Sequence, residues 1–363
     1  MKKNIFIIDD SALMRRVLSD IIKKDNRYQV AGLAKDGRVA LEIIKVDPNK
    51  FDVILLDYFM PDMNGDELLR ELNKLDMKAK VILISGLIKE DALEIIDALE
   101  NGAFDFVTKP INFGTDNRQN FEKKILQRIE LATAALEEDK KKENKGWKLP
   151  EQSKPISINT YHKEKKKGSV RGEMLVALAC STGGPKALHQ LVPKLPKNLN
   201  APMIIVQHMP QGFTNSLAVR LNEKSEIHVK EAEDGEVLKK GTVYIARGGS
   251  QLRVVKGQGG YKLRVTEEAA RNGLKPCADI MYESLVGSSF DEIVCVVLTG
   301  MGGDGTAGIK ELNTKNNIYS IAQNAETSTV YGMPKVFYES GLADEVLPLQ
   351  DIADAIWKHV GVR

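Results

Sequence analysis

The chain has 363 residues, of which 42% are hydrophobic and 28% charged, and its formal net charge is +2. That length predicts about two domains, and so small a charge gives no global field toward nucleic acid or an anionic membrane. The opening apolar run, 5–8, is too short for a signal segment and no later run predicts a spanning helix, while Cys180, Cys277 and Cys295, without CxxC spacing, read as reduced thiols of a cytoplasmic protein.

Short apolar runs at 5–8, 29–34, 53–56, 81–84 and 104–107 read as strands. Amphipathic stretches separate them, the clearest placing Leu13, Met14, Val17, Leu18, Ile21 and Ile22 on one face. Five such alternations predict an α/β domain over residues 1–136, a doubly wound five-stranded parallel sheet. Residues 137–171 combine mixed charge runs with Pro, Ser and Asn and few apolar side chains. They read as a solvated linker into which the last helix of the first domain runs. Lysines alternate with acids there, which disfavours a nucleic-acid-binding tail. From residue 172 a second α/β pattern begins, with strands expected at 175–179, 203–206, 243–246, 293–298 and 318–322 and helical patterns at 309–312 and 352–357. This predicts a second doubly wound, mostly parallel domain over 172–363.

In a parallel sheet, functional side chains gather beyond the carboxyl ends of the strands. Asp9 and Asp10 follow the first expected strand, Asp57 the third, Ser85 the fourth and Lys109 the fifth. Three converging acids repel one another unless a hard cation joins them, and Mg²⁺ suits oxygen ligands. Lys109 adds a positive charge and Ser85 a hydroxyl donor, so the set suits a phosphoryl group on Asp57. A lone strand-end Asp is more often a helix N-cap; five such positions together are harder to dismiss. The residues Asp9-Asp10, Leu56-Asp57, Met60-Pro61-Asp62-Met63-Asn64-Gly65, Ser85-Gly86 and Thr108-Lys109-Pro110 resemble the response-regulator receiver family over 1–136. The resemblance implies that Asp57 accepts a phosphoryl group from a chemotaxis histidine kinase. It also implies that Asp10 and Asp57 ligate Mg²⁺ with Asp9 assisting. Phe106 stands where that family has a switch aromatic, although a strand aromatic is commonly just core.

In the second half, three polar, glycine-rich segments follow strands: Ser181-Thr182-Gly183-Gly184-Pro185, Gln207-His208-Met209-Pro210 and Thr299-Gly300-Met301-Gly302-Gly303-Asp304-Gly305. Parallel strands would bring Ser181, His208 and Asp304 to one edge. A serine hydroxyl needs a base, and the imidazole needs an acid to fix its tautomer and stabilise its cation. The glycines let backbone N–H groups, with those of Thr182 and Met301 as candidates, approach a developing oxyanion.

Rival readings exist for each part. Ser181 suits a helix cap or a phosphate site, His208 an ordinary loop histidine, and Cys180 a nucleophile. Residues 300–305 also fit G-x-G-x-x-G, a dinucleotide fingerprint, but Gln323 and Asn324 stand where an acid should end the following strand. The three segments, with Gly212-Phe213-Thr214, Glu233-Asp234-Gly235 and Val330-Tyr331-Gly332-Met333-Pro334-Lys335, resemble the chemotaxis protein-glutamate methylesterases over almost the whole chain. The resemblance implies Ser181 as nucleophile, His208 as base and Asp304 as orienting acid, with no cofactor for hydrolysis. It implies glutamyl methyl esters on the cytoplasmic helices of methyl-accepting chemoreceptors as substrate, methanol as product, and deamidation of receptor glutamines in many members. Neither nucleic acid nor membrane insertion enters that function. Departures from the family pattern are Ala179-Cys180 before the serine, Arg247 in place of a proline and Gln251 near the place of a histidine. The expected regulation is a receiver that covers the Ser181 cleft until Asp57 is phosphorylated. A receiver joined to a catalytically silent docking domain is the alternative, and methyl-ester turnover separates the two. A transcription factor is disfavoured because no basic recognition helix is evident.

Overall fold

The computed structural model describes residues 2–75, 77–86, 92–110, 114–144 and 172–362. Two compact units divide the chain, Met1–Lys148 and Leu149–Arg363. The expected linker segment 145–171 lies outside the described residues.

The first unit alternates strand and helix: β1 (Lys3–Ile8), α1 (Ala12–Lys23), β2 (Tyr28–Ala34), α2 (Gly37–Val46), β3 (Val53–Asp57), α3 (Gly65–Leu72), β4 (Lys80–Ser85), α4 (Ala92–Glu100), β5 (Asp105–Thr108) and α5 (Thr115–Asn144). The strands form one parallel sheet in the order β2-β1-β3-β4-β5. Its central strands are buried on both faces, which is why Ile5, Phe6, Ile7 and Ile8 and then Val53, Ile54, Leu55 and Leu56 run without polar alternation. Helix starts are set locally. Ser11 Oγ accepts from Met14 N at 3.3 Å, Asp36 Oδ1 from Val39 N at 2.8 Å, and Asn64 with Glu67 closes a capping box on α3. The strand order turns back at β1, so a crevice opens between the carboxyl ends of β1 and β3.

Helix α5 runs to Asn144 and so includes residues 137–144 of the stretch read as linker. Acids preceding lysines by three or four residues support a helix without apolar content. Lys3 Nζ to Glu137 at 2.8 Å and Lys80 Nζ to Asp139 at 2.7 Å tie its far end to the sheet.

The second unit contains β6 (Met174–Cys180), α6 (Gly184–Leu191), β7 (Met203–Gln207), α7 (Phe213–Lys224), β8 (His228–Glu231), β9 (Thr242–Ile245), β10 (Gln251–Gly257), β11 (Gly260–Thr266), α8 (Ala278–Glu283), β12 (Glu292–Val297), α9 (Thr306–Leu312), β13 (Ile318–Gln323), α10 (Met333–Glu339), β14 (Glu345–Leu347) and α11 (Leu349–Val360). Seven strands form a parallel sheet in the order β14-β13-β12-β6-β7-β9-β8. β6 is its middle strand, buried along its full length. β10 and β11 make a separate antiparallel hairpin, whose Leu252, Val254, Tyr261 and Leu263 pack into the core below the sheet. Sequence reading missed β8, β14 and this hairpin. The two edge strands are short and polar, whereas the hairpin carried a usable signal: alternating apolar residues around Gly259-Gly260.

Candidate active site and phospho-acceptor site

β6, β7 and β12 are neighbours, so the loops leaving their carboxyl ends meet. Ser181 follows β6. Its backbone N–H donates to Thr299 O at 3.0 Å, and its carbonyl accepts from Gly184 N at 2.7 Å and Gln207 Nε2 at 3.0 Å. Gly183 holds φ +78° in this turn, and a Cβ there would strike Thr329. Gly300 is required for a different reason: a Cβ on it would lie 2.8 Å from the Ser181 Cβ. The β12 loop can therefore lie directly against the serine.

His208 follows β7, its N–H donating to Cys180 O at 3.2 Å. Its Nε2 lies 2.7 Å from Asp304 Oδ2, with both side chains largely buried. Asp304 also accepts from Ala278 N at 2.6 Å, Asp279 N at 3.0 Å and Cys277 Sγ at 3.1 Å. Burial alone would raise this carboxyl, but His208 and these donors hold it well below the usual carboxylate range. An ionised acid is thus fixed against one ring nitrogen of His208, which leaves Nδ1 as the other. Among the described residues no hydrogen bond joins Ser181 Oγ to His208. Thr182 is buried beside the serine, and its carbonyl accepts from Thr299 Oγ1 at 2.9 Å. Met301 lies in the β12 loop and is 41% exposed.

Two rivals lose their footing in this geometry. Cys180 is fully buried at the end of β6, its Sγ 3.0 Å from Gln207 Oε1, and burial pushes its thiol far up, so no thiolate is at hand. The dinucleotide reading of 300–305 needs backbone N–H groups open to a pyrophosphate. Those of Gly305 and Gly308 are already taken by Asp279 Oδ1 at 2.9 and 2.7 Å. Cys277, Asp279 and Asp304 come close enough for a metal site, but backbone donors occupy both acids, and burial pushes the Cys277 thiol up to about 12.

In the first unit, Asp9, Asp10 and Asp57 bring carboxylate oxygens within 4.8 Å of one another in the β1/β3 crevice. Arg15 Nη1 donates to the carbonyls of Asp9 and Asp10 at 2.7 and 3.0 Å, which fixes the backbone of the acidic pair. Lys109 Nζ lies 2.6 Å from Asp57 Oδ2 and 3.1 Å from Asp9 Oδ2. The second contact is an ion pair without hydrogen-bond geometry, so Asp9 Oδ2 is buried with no hydrogen bond. Burial pushes Asp57 up to about 6 against the pull of Lys109. That buried oxygen, in a set of hard oxygen donors with excess negative charge, fits a divalent cation such as Mg²⁺. Ser85 is buried at the end of β4 and donates to Gly86 O at 3.3 Å. Phe106 is buried on β5.

Residues 176–356 match the family described as CheB methylesterase, and residues 5–115 match the response regulator receiver domain. A protein-glutamate methylesterase/protein-glutamine glutaminase of Bacillus subtilis (strain 168) is 39% identical over 352 residues, 97% of each chain. One of Pyrococcus abyssi is 39% identical over 99% of this chain and 94% of its own. The chain belongs to this methylesterase family. The crystal structure of the Thermotoga maritima CheB methylesterase catalytic domain is 41% identical, with a TM-score of 0.50, and the match covers 53% of this chain and all of that one.

The departures from the methylesterase pattern now have places. Gln251 is fully buried; its Oε1 accepts from Cys277 N at 2.8 Å, and its Nε2 donates to Ala269 O and Leu274 O at 3.2 and 3.1 Å. A single amide thereby pins the segment that delivers three donors to Asp304. Arg247 pairs with Glu231 at 3.3 Å beyond β9. Sequence reading missed Gln207, Thr299 and Gln323 as supports of the serine turn. Thr299 N donates to Gln323 Oε1 at 2.8 Å and Thr299 Oγ1 accepts from Val330 N at 2.9 Å. Their signal was a polar residue closing an apolar run, at the ends of β7, β12 and β13, and all three are buried.

Proposed function

We propose that this methylesterase-family chain hydrolyses glutamyl methyl esters of chemoreceptor helices in chemotactic adaptation, and deamidates receptor glutamines at the same site. The observation that carries the reading is the His208–Asp304 hydrogen bond on loops beside Ser181. Ser181 Oγ attacks the side-chain ester carbonyl while its proton passes to His208, through Nδ1 since Nε2 faces Asp304. Asp304 holds the ring and stabilises the imidazolium. Collapse of the tetrahedral intermediate expels methoxide, which takes the proton from His208 and leaves as methanol. Water then attacks the acyl-serine with His208 again as base, restoring Ser181 and releasing the glutamate carboxylate. For a glutamine the leaving group is ammonia. Backbone N–H groups of Thr182 and Met301 are assigned to the oxyanion.

Control comes from the first unit. Asp57 is the phospho-acceptor, served by a histidine kinase, and Asp10 and Asp57 would hold Mg²⁺ with Asp9 assisting. The cation, when bound, neutralises charge on the transferring phosphoryl group. Lys109 balances the phosphorylated carboxylate, and Ser85 and Phe106 respond to it. The receiver is assigned to 1–136, with α5 continuing into the connecting stretch 137–171 as far as Asn144, and the esterase to 172–363. A cytoplasmic location accords with these partners, and among the described residues no helix is long and apolar enough to cross a membrane.

The test is methanol release from methylated receptor membranes, with and without a small-molecule phosphodonor. Release that rises with phosphodonor in the native chain, and that Asp57→Asn renders insensitive to it, supports the reading. No release from the native chain under either condition overturns it in favour of a silent docking domain.

A further inference from the structure

Asp279 sits in the first turn of α8 and takes no part in the reaction as proposed, yet it is bound to the acid of the triad from both sides. The start of α8 gives Asp304 the N–H groups of Ala278 and Asp279, at 2.6 and 3.0 Å. In return, the segment following Asp304 gives Asp279 the N–H groups of Gly305 and Gly308, at 2.9 and 2.7 Å. Each carboxylate thus satisfies backbone donors of the other's segment. Gly305, with φ +94°, offers α9 no side-chain cap of its own, so Asp279 serves that end from outside. The two segments also touch closely: a Cβ on Gly308 would lie 2.7 Å from Asp279 O.

Two neighbouring carboxylates repel, and burial together with Asp304 raises Asp279. The exchanged N–H groups make their proximity tolerable. Since Gly305 is the residue next to Asp304, the bond from Gly305 N to Asp279 fixes the backbone from which the Asp304 side chain projects. Without the Asp279 acceptor, the start of α9 has two unsatisfied N–H groups, and the bearing of Asp304 toward His208 Nε2 rests only on the donors at its own carboxylate.

We infer that Asp279 is a positioning residue of the triad, orienting Asp304, and through it His208, by accepting Gly305 N–H and Gly308 N–H on one oxygen. This rests on the assignment of Ser181, His208 and Asp304 given above. Both bonds fall on Oδ1, so the requirement is for an acceptor at one point in space. Asparagine supplies that acceptor without the charge; alanine supplies neither.

The experiment compares the full chain with Asp279→Asn and Asp279→Ala by three readouts. One is the rate at which a fluorophosphonate ester labels Ser181, which needs no natural substrate. The second is kcat and KM for methanol release from methylated receptor. The third is the low-field proton resonance of the His208–Asp304 hydrogen bond. Asp279→Ala is expected to lose about 10²-fold in labelling rate and kcat, with KM within about twofold, and to lose the resonance. Asp279→Asn is expected to keep the resonance and to stay within about threefold of native in both rates. An alanine variant with native rates overturns the inference, as does an asparagine variant as impaired as alanine. If alanine prevents folding, Asp279→Glu replaces it, because one extra methylene displaces the oxygen while keeping its charge; native rates in that variant overturn the inference. A native chain labelled at Ser181 but releasing no methanol defeats the ester reading alone. A native chain that is not labelled defeats the triad assignment, and this inference with it.

Discussion

At the scale of single residues, three types recur at three adjacent strand ends, and each has a distinct consequence when removed. Ser181→Ala and His208→Ala are expected to lower kcat for ester hydrolysis by up to about 10⁶-fold, because the members of such a unit fail together, and Asp304→Ala by less. Cys180→Ala keeps most activity, since its thiol is a packed group on Gln207. A dead Cys180→Ala beside an active Ser181→Ala in the methanol assay would reverse the assignment. Asp304 also has a signature in stability. Its folded pKa lies below the usual value of about 4. A carboxyl depressed in this way stabilises the fold above its unfolded pKa, and that contribution is lost as pH falls through the folded value. The melting temperature of the native chain should therefore fall more steeply below about pH 4 than that of Asp304→Asn, and parallel curves would contradict this. The proposed triad was legible in sequence because its members lie in polar loops that follow apolar strands, Ser181 and His208 immediately and Asp304 further along the glycine-rich loop after β12. Asp279 was not: it opens a six-residue helix far from Asp304 in the chain, and only packing brings the two together.

At the scale of elements, the central strands were legible because burial on both faces leaves uninterrupted apolar runs. Strands 5–8 and 203–206 are recovered within β1 and β7 to within a residue or two. What escaped was either too polar, as in β8 and β14, or not expected of a parallel architecture, as in the β10–β11 hairpin. The running of α5 into the charged stretch was expected, but not its end at Asn144, because charges read as solvation do not show how far helix-supporting pairs carry a helix. The α8–α9 contact carries its own prediction. Gly308→Ala would press a methyl group onto Asp279 O and the Tyr282 side chain, a typical overpacking cost of about 1–3 kcal/mol. Thermal or denaturant melts should report it, and an unchanged midpoint would mean that the helices separate freely.

At the scale of the molecule, two complete sheets imply two complete cores. The crystallised Thermotoga maritima catalytic domain, 41% identical and matched along its whole length, is a domain of this kind by itself. A fragment beginning near Ser169, a position outside the described residues, is accordingly expected to fold. If the receiver restrains the esterase, the fragment should release methanol faster than the full chain without phosphodonor. A closed-to-open ratio of ten, worth only about 1.4 kcal/mol, already limits the gain to about tenfold. Equal or slower release from a folded fragment would mean that the receiver assists the reaction.

The strand order of the second sheet also sets a timetable. Ser181 leaves the ribosome on β6 and His208 on β7, but the place on the other side of β6 belongs to β12, which emerges only after the hairpin and α8. Until then the serine has a histidine nearby and no acid to orient it, and β6 has one open edge. On the proposed assignment, chains that end before Asp304 are thus born without an armed nucleophile. With the triad as proposed, the serine can be armed only once five of the seven strands, through β12, have been delivered.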